Sequence, residues 1–406
     1  MTVAIRCGLL LLAGGAGLGA ADRLKPTDIT PAVVQAGVQR GVTFLLGAQN
    51  PDGSWGGAAR SITTWSGDMW SSPESHRSWR VATTGLCCLA LLQVGDSDAA
   101  YAALDRGLDY LVANACVKRP NDWDTMNCWA DVYGLQALAA ALQHPRHAAS
   151  PRRADLCRAA ETHLRQMAYS QSLSGGWGYL EFNTPRTARP QWATSFTTAS
   201  AIIALLEARA AGLPVDADVV RRAVRAVRRC RLPNGAYDYS VSAIPNPGWT
   251  GSVNGVKGSL ARIQSCNLAL FRAGERVPRE WLQTGLEQFF REHRFLDIAL
   301  HKPVPHEAFY QNSGYFYLYG HYYAAEVIAC LPPAQRDPYW PRLQYEVLKL
   351  QQADGSVWDY DHHAYAKPYG TAYALLALGR SIDAGQRAGD LDHDRDRDAG
   401  VGGQRE

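Results

Sequence analysis

Several residues in this chain have side chains that can do chemistry. Asp122 and Asp124 flank Trp123 just ahead of an apolar run carrying Trp129, Asp131 and Tyr133. A carboxyl group can donate or accept a proton when its surroundings tune it. The same position suits Asp124 or Asn127 to capping the helix that follows. Glycoside hydrolysis needs two carboxylates, and Asp124, Asp131 and Glu307 are the acids available for it. His321, beside Tyr319 and Tyr322, offers a base and an acid close together, and also fits a hydrogen-bonded histidine within an aromatic cluster. Aromatic faces attract cations, stack on sugars and fill wide cores. The candidate ligand contacts are Trp129, Tyr133, Trp192, Tyr317, Tyr322, Tyr369 and Tyr373. Two further groups, His301 with His306 and Glu307, and Asp361 with His362 and His363, match no recognised metal-ligand spacing. The sequence therefore predicts no metal and no cofactor.

The elements that must hold these residues come in two kinds. Tyr101, Leu104, Leu108 and Leu111 fall at i, i+3, i+7 and i+10, as do Trp340, Leu343, Val347 and Leu350. Such a stripe covers one face, as on an outer helix. The runs from Thr83 to Leu92, Thr197 to Leu206 and Gly370 to Leu378 are apolar or small on all sides, so these helices are buried on all sides. Inner helices are expected near 81–94, 128–142, 194–209, 258–273, 315–331 and 369–380. Outer helices are expected near 31–48, 98–114, 152–168, 216–230, 279–293 and 338–351. Six inner–outer hairpins predict an all-α (α/α)6 toroid over residues 22–382. Closure removes the capping repeats that an open solenoid needs. The long connections ahead of the inner helices are the expected seat of function.

A repeated motif supports the same architecture. Gln49, Gly53 and Trp55 recur as Gln171, Gly175 and Trp177, with worn copies at Arg231 to Tyr237 and Gln351 to Trp358. The glutamine can satisfy a free carbonyl at a helix end, the glycine permits the turn, and the tryptophan can pack over the next hairpin.

This Q-x-x-x-G-x-W element resembles the QW repeat of squalene cyclases and protein prenyltransferase β subunits, over roughly residues 31–380. The resemblance implies a toroid whose central cavity holds an apolar, isoprenoid ligand. For class II terpene cyclisation it implies a D-x-D-D motif whose central aspartate protonates an alkene. Asp124 falls on that acid, and Thr125 replaces the fourth aspartate. For prenyl transfer it implies zinc held by Asp, Cys and His, the last opening the final inner helix. This chain reads Tyr369-Gly370-Thr371 there, and Cys266 lies in an apolar run. The expected function is binding of an apolar, isoprenoid-like molecule, and the incomplete motif, with Thr125 at its fourth position, argues against cyclase-type chemistry through Asp124. The alternatives are a carbohydrate-active lyase or hydrolase, which fold analogy allows, and a non-catalytic interaction scaffold with a protein partner.

Residues 1–21 read as an export signal, with Arg6 ahead of a short apolar run that ends in small residues at Ala20 and Ala21. That run falls short of the roughly 20 apolar residues of a spanning helix. A secreted or periplasmic protein without an integral membrane segment is expected. The net charge of +3 is spread along the chain and suggests no nucleic-acid partner. Arg221, Arg222, Arg225, Arg228 and Arg229 interleave with valines, as on a solvated helix face. Of nine cysteines, Cys116 and Cys128 flank one loop and are the best pair to test for a disulfide. Residues 383–406, rich in glycine and mixed charge, read as a disordered tail. Within it, Asp394, Asp396 and Asp398 lack the Gly and Glu of a calcium loop.

Overall fold

A computed structural model describes residues 24–57, 73–117, 127–179, 189–241 and 253–401. Among the described residues, twelve helices of nine residues or more form six hairpins. The outer helices are α1 (Pro31–Gly47), α3 (Asp98–Ala113), α5 (Arg153–Ser170), α7 (Ala217–Arg229), α9 (Arg279–Arg291) and α11 (Trp340–Leu348). The inner helices are α2 (Pro73–Val94), α4 (Asn127–Gln143), α6 (Ser195–Ala210), α8 (Leu260–Arg272), α10 (Phe316–Ala329) and α12 (Ala366–Val401).

Local chemistry starts several of them. Thr30 Oγ1 accepts the Val33 amide at 3.3 Å, and Pro31 fills the first position, where no amide is missed. Ser97 caps α3 through the Ala100 amide at 3.2 Å, and Asp216 caps α7 through the Asp218 amide at 2.7 Å. On α7 the valines are buried while Arg221, Arg225 and Arg228 are exposed.

The inner helices pack in chain order, α2 on α4, α4 on α6, α6 on α8, α8 on α10 and α10 on α12, and α12 returns to α2. The ring is closed, and the fold is the (α/α)6 toroid that the hairpin count predicts. Every residue of α10 from Phe316 to Ile328 is buried, as an apolar helix inside a second layer must be.

The repeated motif is a clamp between successive outer helices. Gln49 Nε2 donates to Gly53 O at 2.9 Å and to Ala103 O of α3 at 2.8 Å, and Arg106 of α3 donates to its Oε1. Gln171 makes the same bonds to Gly175 O at 2.8 Å and to Val219 O of α7 at 2.9 Å, with Arg222 as the donor. Gln351, after α11, reaches Gly37 O of α1 at 2.8 Å and so ties the last hairpin to the first. Gly53 (φ +86°), Gly175 (φ +95°) and Gly355 (φ +86°) turn in the left-handed region, and a Cβ at any of them would strike the backbone of the next outer helix. Trp55 and Trp177 are buried and donate to Leu45 O at 2.7 Å and Met167 O at 2.9 Å.

Helical backbone continues in α12 to Val401, past the boundary read at residue 382. Asp394, Asp396 and Asp398 thus fall on helix rather than in a loop. Residues 1–21, read as the export signal, lie outside the described residues. No helix among the described residues is long and apolar enough to cross a membrane. None of the eight described cysteines is in a disulfide: Cys116 is exposed and Cys128 buried.

Candidate functional site

All six inner helices run the same way, and a cavity of about 230 Å³ opens at their N-terminal end. Helix α2 supplies Trp79, Ala82, Thr83 and Leu86, α4 supplies Trp129 and Tyr133, and α12 supplies Tyr369 and Tyr373. Tyr179 and Phe196 come from the connection into α6 and its start, and Tyr315, Phe316 and Tyr319 from the start of α10. Loops add Pro303, Pro305, His306, Tyr360, Asp361 and His362 at the rim. The wall is aromatic: Trp129 stacks on Tyr133 at 5.6 Å, and Phe196 meets Phe316 edge-on at 5.2 Å.

Beneath this wall lies a layer of tyrosine hydroxyls. Tyr373 donates to Tyr133, Tyr319 donates to Phe196 O at 3.1 Å, and Tyr323 donates to Ser200 at 2.9 Å. Burial pushes all four phenols upward, so they remain neutral donors. One turn further on, Arg272 bridges Glu207 and Glu326 across the closed end of the ring, and Arg380 joins Glu326 at 2.8 Å.

One rim segment is held in a strained form. His301, His306, Tyr310 and Gln311 all have φ between 57° and 62°, which non-glycine residues seldom adopt. Asp359 O accepts the His301 amide at 2.8 Å, and the His306 amide donates to Ser313 Oγ at 2.8 Å. His306 Nδ1 donates to Gln311 O at 2.7 Å, so its Nε2 is left to accept from Tyr315 at 3.2 Å. Burial lowers the His306 pKa, which keeps the ring neutral.

The predicted residues separate into groups. Trp129, Tyr133, Tyr369 and Tyr373 line the cavity. Trp192 stands behind the wall, edge-on to Tyr179 at 5.3 Å, with Nε1 donating to Ser240 at 3.2 Å. Tyr317, Tyr322 and His321 do not line the cavity. Residues four apart share a helix face, so Tyr317 and His321 point together toward α9, while Phe316, Tyr319 and Tyr323 face the axis. Asp122 and Asp124 lie outside the described residues, in the segment that leads into α4. The other two candidate acids are not paired there: Asp131 is buried against His163 at 2.8 Å and Glu307 is exposed. His301 and Glu307 do not line the cavity with His306, whereas Asp361 and His362 do.

Sequence reasoning missed Trp79, Tyr179, Phe196 and Tyr360 as wall residues. It also missed Asp359, a buried carboxyl that accepts from Tyr369 at 2.8 Å and from the Leu318 amide at 2.8 Å. Burial pushes Asp359 up to about 7 against these hydrogen bonds. Its signal was position alone, in the connection into the last inner helix.

His321 is buried between Tyr317 and His293. Its Nδ1 donates to Tyr317 O at 2.8 Å, so its Nε2 accepts from His293 Nε2 at 3.1 Å. His293 in turn faces Asp297 and Glu346, which Lys349 also bridges. Burial holds the His321 pKa well below its ordinary value, with the nearby His293 and Lys349 acting in the same sense. The unfolded chain therefore takes up a proton at this site below about pH 6.5 that the folded chain refuses, and this contribution to stability falls as pH drops. Asp359, raised in the fold, acts in the opposite sense between about 4 and 7. The test is therefore a difference. Urea unfolding of the parent and of His321→Gln at pH 7.5 and pH 5 is expected to show the parent losing more stability. Parallel losses would contradict it.

No family model matches this chain, and no curated protein matches it. Solved structures do. A possible member of the GH105 family from Klebsiella pneumoniae aligns over 93% of this chain and 99% of its own, at 14% identity and TM-score 0.54. Cellobiose 2-epimerase from Spirochaeta thermophila aligns over 88% and 99%, at 14% identity and TM-score 0.54. The type II terpene cyclase MstE from Scytonema aligns over 88% and 100%, at 12% identity and TM-score 0.50. At these identities the likeness is one of fold, and it places the chain among the (α/α)6 toroid proteins.

Proposed function

We propose that this protein is an exported squalene cyclase/prenyltransferase-like toroid whose cavity binds an apolar small molecule of the isoprenoid class. The observation that carries this reading is the cavity wall, in which Trp, Tyr, Phe, Leu, Ala and Pro side chains predominate and Thr83, His306, Asp361 and His362 are the exceptions. Apolar surface removed from water supplies affinity without requiring specific polar partners. The repeat motif and the likeness in fold to a terpene cyclase agree with it. Binding, not cyclisation, is the proposed activity; Asp124, with Asp122 beside it in the segment entering the helix that carries Trp129 and Tyr133, is the one place an acid for cyclase-type chemistry could stand, and Thr125 leaves that motif incomplete. The second reading is a carbohydrate-active toroid. Stacking aromatics, the rim groups His306, Asp361 and His362, and the likeness in fold to a GH105 member and a sugar epimerase favour it.

Tryptophan fluorescence separates the two, because Trp79 and Trp129 line the cavity. Farnesol is expected to bind and to shift the emission, while cellobiose is not. Trp129→Ala is expected to weaken farnesol at least tenfold, about what losing one buried aromatic contact removes. Extraction of the exported protein, followed by mass spectrometry, is expected to yield an isoprenoid. A product present with the parent and absent with Asp124→Asn would assign the acid. Cellobiose binding without farnesol binding would replace this reading by the carbohydrate one.

A further inference from the structure

Asp359 sits one side chain behind the cavity wall. Its Oδ1 accepts the hydroxyl of Tyr369, which lines the cavity, and its Oδ2 accepts the Leu318 amide. The titratable side chains around it are Tyr369 and Tyr373 on α12, Tyr317 on α10 and the adjacent Tyr360, and His301 reaches it through its backbone amide. Among the described residues, no lysine or arginine forms an ion pair or hydrogen bond with this carboxyl, whose side-chain partners are the Tyr369 hydroxyl and the Leu318 amide. A buried carboxylate without a counter-charge is costly, and a cation that arrives with a ligand removes that cost. Tyr369 turns its proton back toward Asp359, which leaves its oxygen lone pairs for the cavity. The rings of Tyr369, Tyr373, Trp129 and Trp79 add faces that attract positive charge.

We propose that the cavity is a binding site for an apolar organic cation, an alkylammonium group on a hydrophobic tail, seated against Tyr369 with Asp359 as its counter-ion. This rests on the apolar-cavity reading above and specifies its ligand. The inner helices present their N-termini at this end, and these favour negative charge within the first turn. Asp359 already takes an amide of the first turn of α10 and supplies a full charge against those partial ones.

The test uses octyltrimethylammonium and 1-octanol, titrated by tryptophan fluorescence at pH 6 and pH 8. Both probes are expected to bind. The cation is expected to bind roughly tenfold tighter at pH 8, as a carboxyl held near 7 ionises, and octanol equally at both. Asp359→Asn keeps both hydrogen bonds, with its oxygen accepting from Leu318 and its NH₂ donating to Tyr369. It is expected to keep octanol binding and lose the pH-dependent gain. The other rim groups that can titrate, His306, His362 and Asp361, remain in that variant, so it isolates Asp359. Tyr369→Phe, which removes the hydroxyl between carboxylate and ligand, is expected to reduce the gain as well. Octanol binding without a pH-dependent cation, or a gain that survives in Asp359→Asn, overturns this inference alone. Binding of neither probe overturns the apolar cavity and this inference with it.

Discussion

Arg272→Ala is expected to cost about 3 kcal/mol of folding stability, the low end for a broken buried ion pair, because 24% of the Arg272 side chain is exposed. Arg272 closes the blind end of the toroid. It bonds Glu207 of α6 at 3.2 Å and Glu326 of α10, while Gln136 of α4 donates to Glu207 at 2.9 Å and Arg380 of α12 holds Glu326. Five of the six inner helices thus meet in one polar network. The two carboxyls respond differently to the same arginine. Burial raises Glu326, but Arg272 and Arg380 together outweigh it and hold the group low. Burial raises Glu207, and Arg272 with Gln136 offsets this only partly, so Glu207 stays above its ordinary value.

The sign of the pH effect follows. A raised acid contributes most when protonated, and its contribution falls as pH rises through its folded pKa. Removing Arg272 raises Glu207 further, so the defect is expected to be larger at pH 8 than at pH 5. Guanidinium unfolding at the two pH values measures this. Glu207→Gln in the Arg272→Ala background is expected to recover part of the loss, because it removes a stranded charge. A loss below about 0.5 kcal/mol, typical of a surface site, would show that water replaces the arginine at no cost.

The architecture was legible because it rests on periods and repeats. An apolar stripe can belong only to an outer helix, and an all-apolar helix only to an inner one, whatever the connections do. The Gln49 and Gln171 clamps were legible for a related reason: a turn that needs glycine, a buried indole and a carbonyl partner leaves few sequence choices. The site was legible only in part. Trp129, Tyr133, Tyr369 and Tyr373 sit within the first turns of inner helices, where any axis-facing side chain reaches the cavity. On α10 the aromatics surround the helix, so composition could not say that Phe316 and Tyr319 face the axis while Tyr317 and His321 face α9. That choice is set by α9 and by the charged cluster around His293, residues separated in sequence from the motif. Asp359 escaped for another reason. Nothing near it in sequence marks a buried carboxyl, because Asp361 and His362 make the stretch look polar, and its burial comes from Tyr369 and from the first turn of α10.

Trp177→Ala is expected to cost about 4 kcal/mol, in the range for deleting a fully buried aromatic side chain. Trp177 is 2% exposed, its Nε1 donates to Met167 O at 2.9 Å, and its amide donates to Thr198 Oγ1 at 3.1 Å. The indole therefore satisfies a carbonyl near the end of α5 while the backbone amide of the same residue fastens the turn to α6. Alanine keeps the amide bond but leaves a void and an unpartnered Met167 carbonyl. Trp177→Phe fills most of the void and is expected to cost about half as much, the remainder being the lost hydrogen bond. Gln171→Ala acts on the same turn, so the pair is expected to be less than additive, because either change releases the loop that both hold. The worn copies give the internal comparison. Tyr237 stands where the indole would be and donates to Asn267 Oδ1 at 2.7 Å, a different partner from the carbonyl that Trp177 takes. The last copy places Val357 there and keeps Gln351, whose bond to Gly37 closes the ring. If the glutamine supplies ring closure and the indole supplies core volume, Gln351→Ala is expected to lower the cooperativity of unfolding and Trp177→Ala the midpoint alone. Chemical denaturation followed by both fluorescence and far-ultraviolet circular dichroism separates these outcomes. Coincident transitions at an unchanged slope for Gln351→Ala would show that the ring stays shut through inner-helix packing alone.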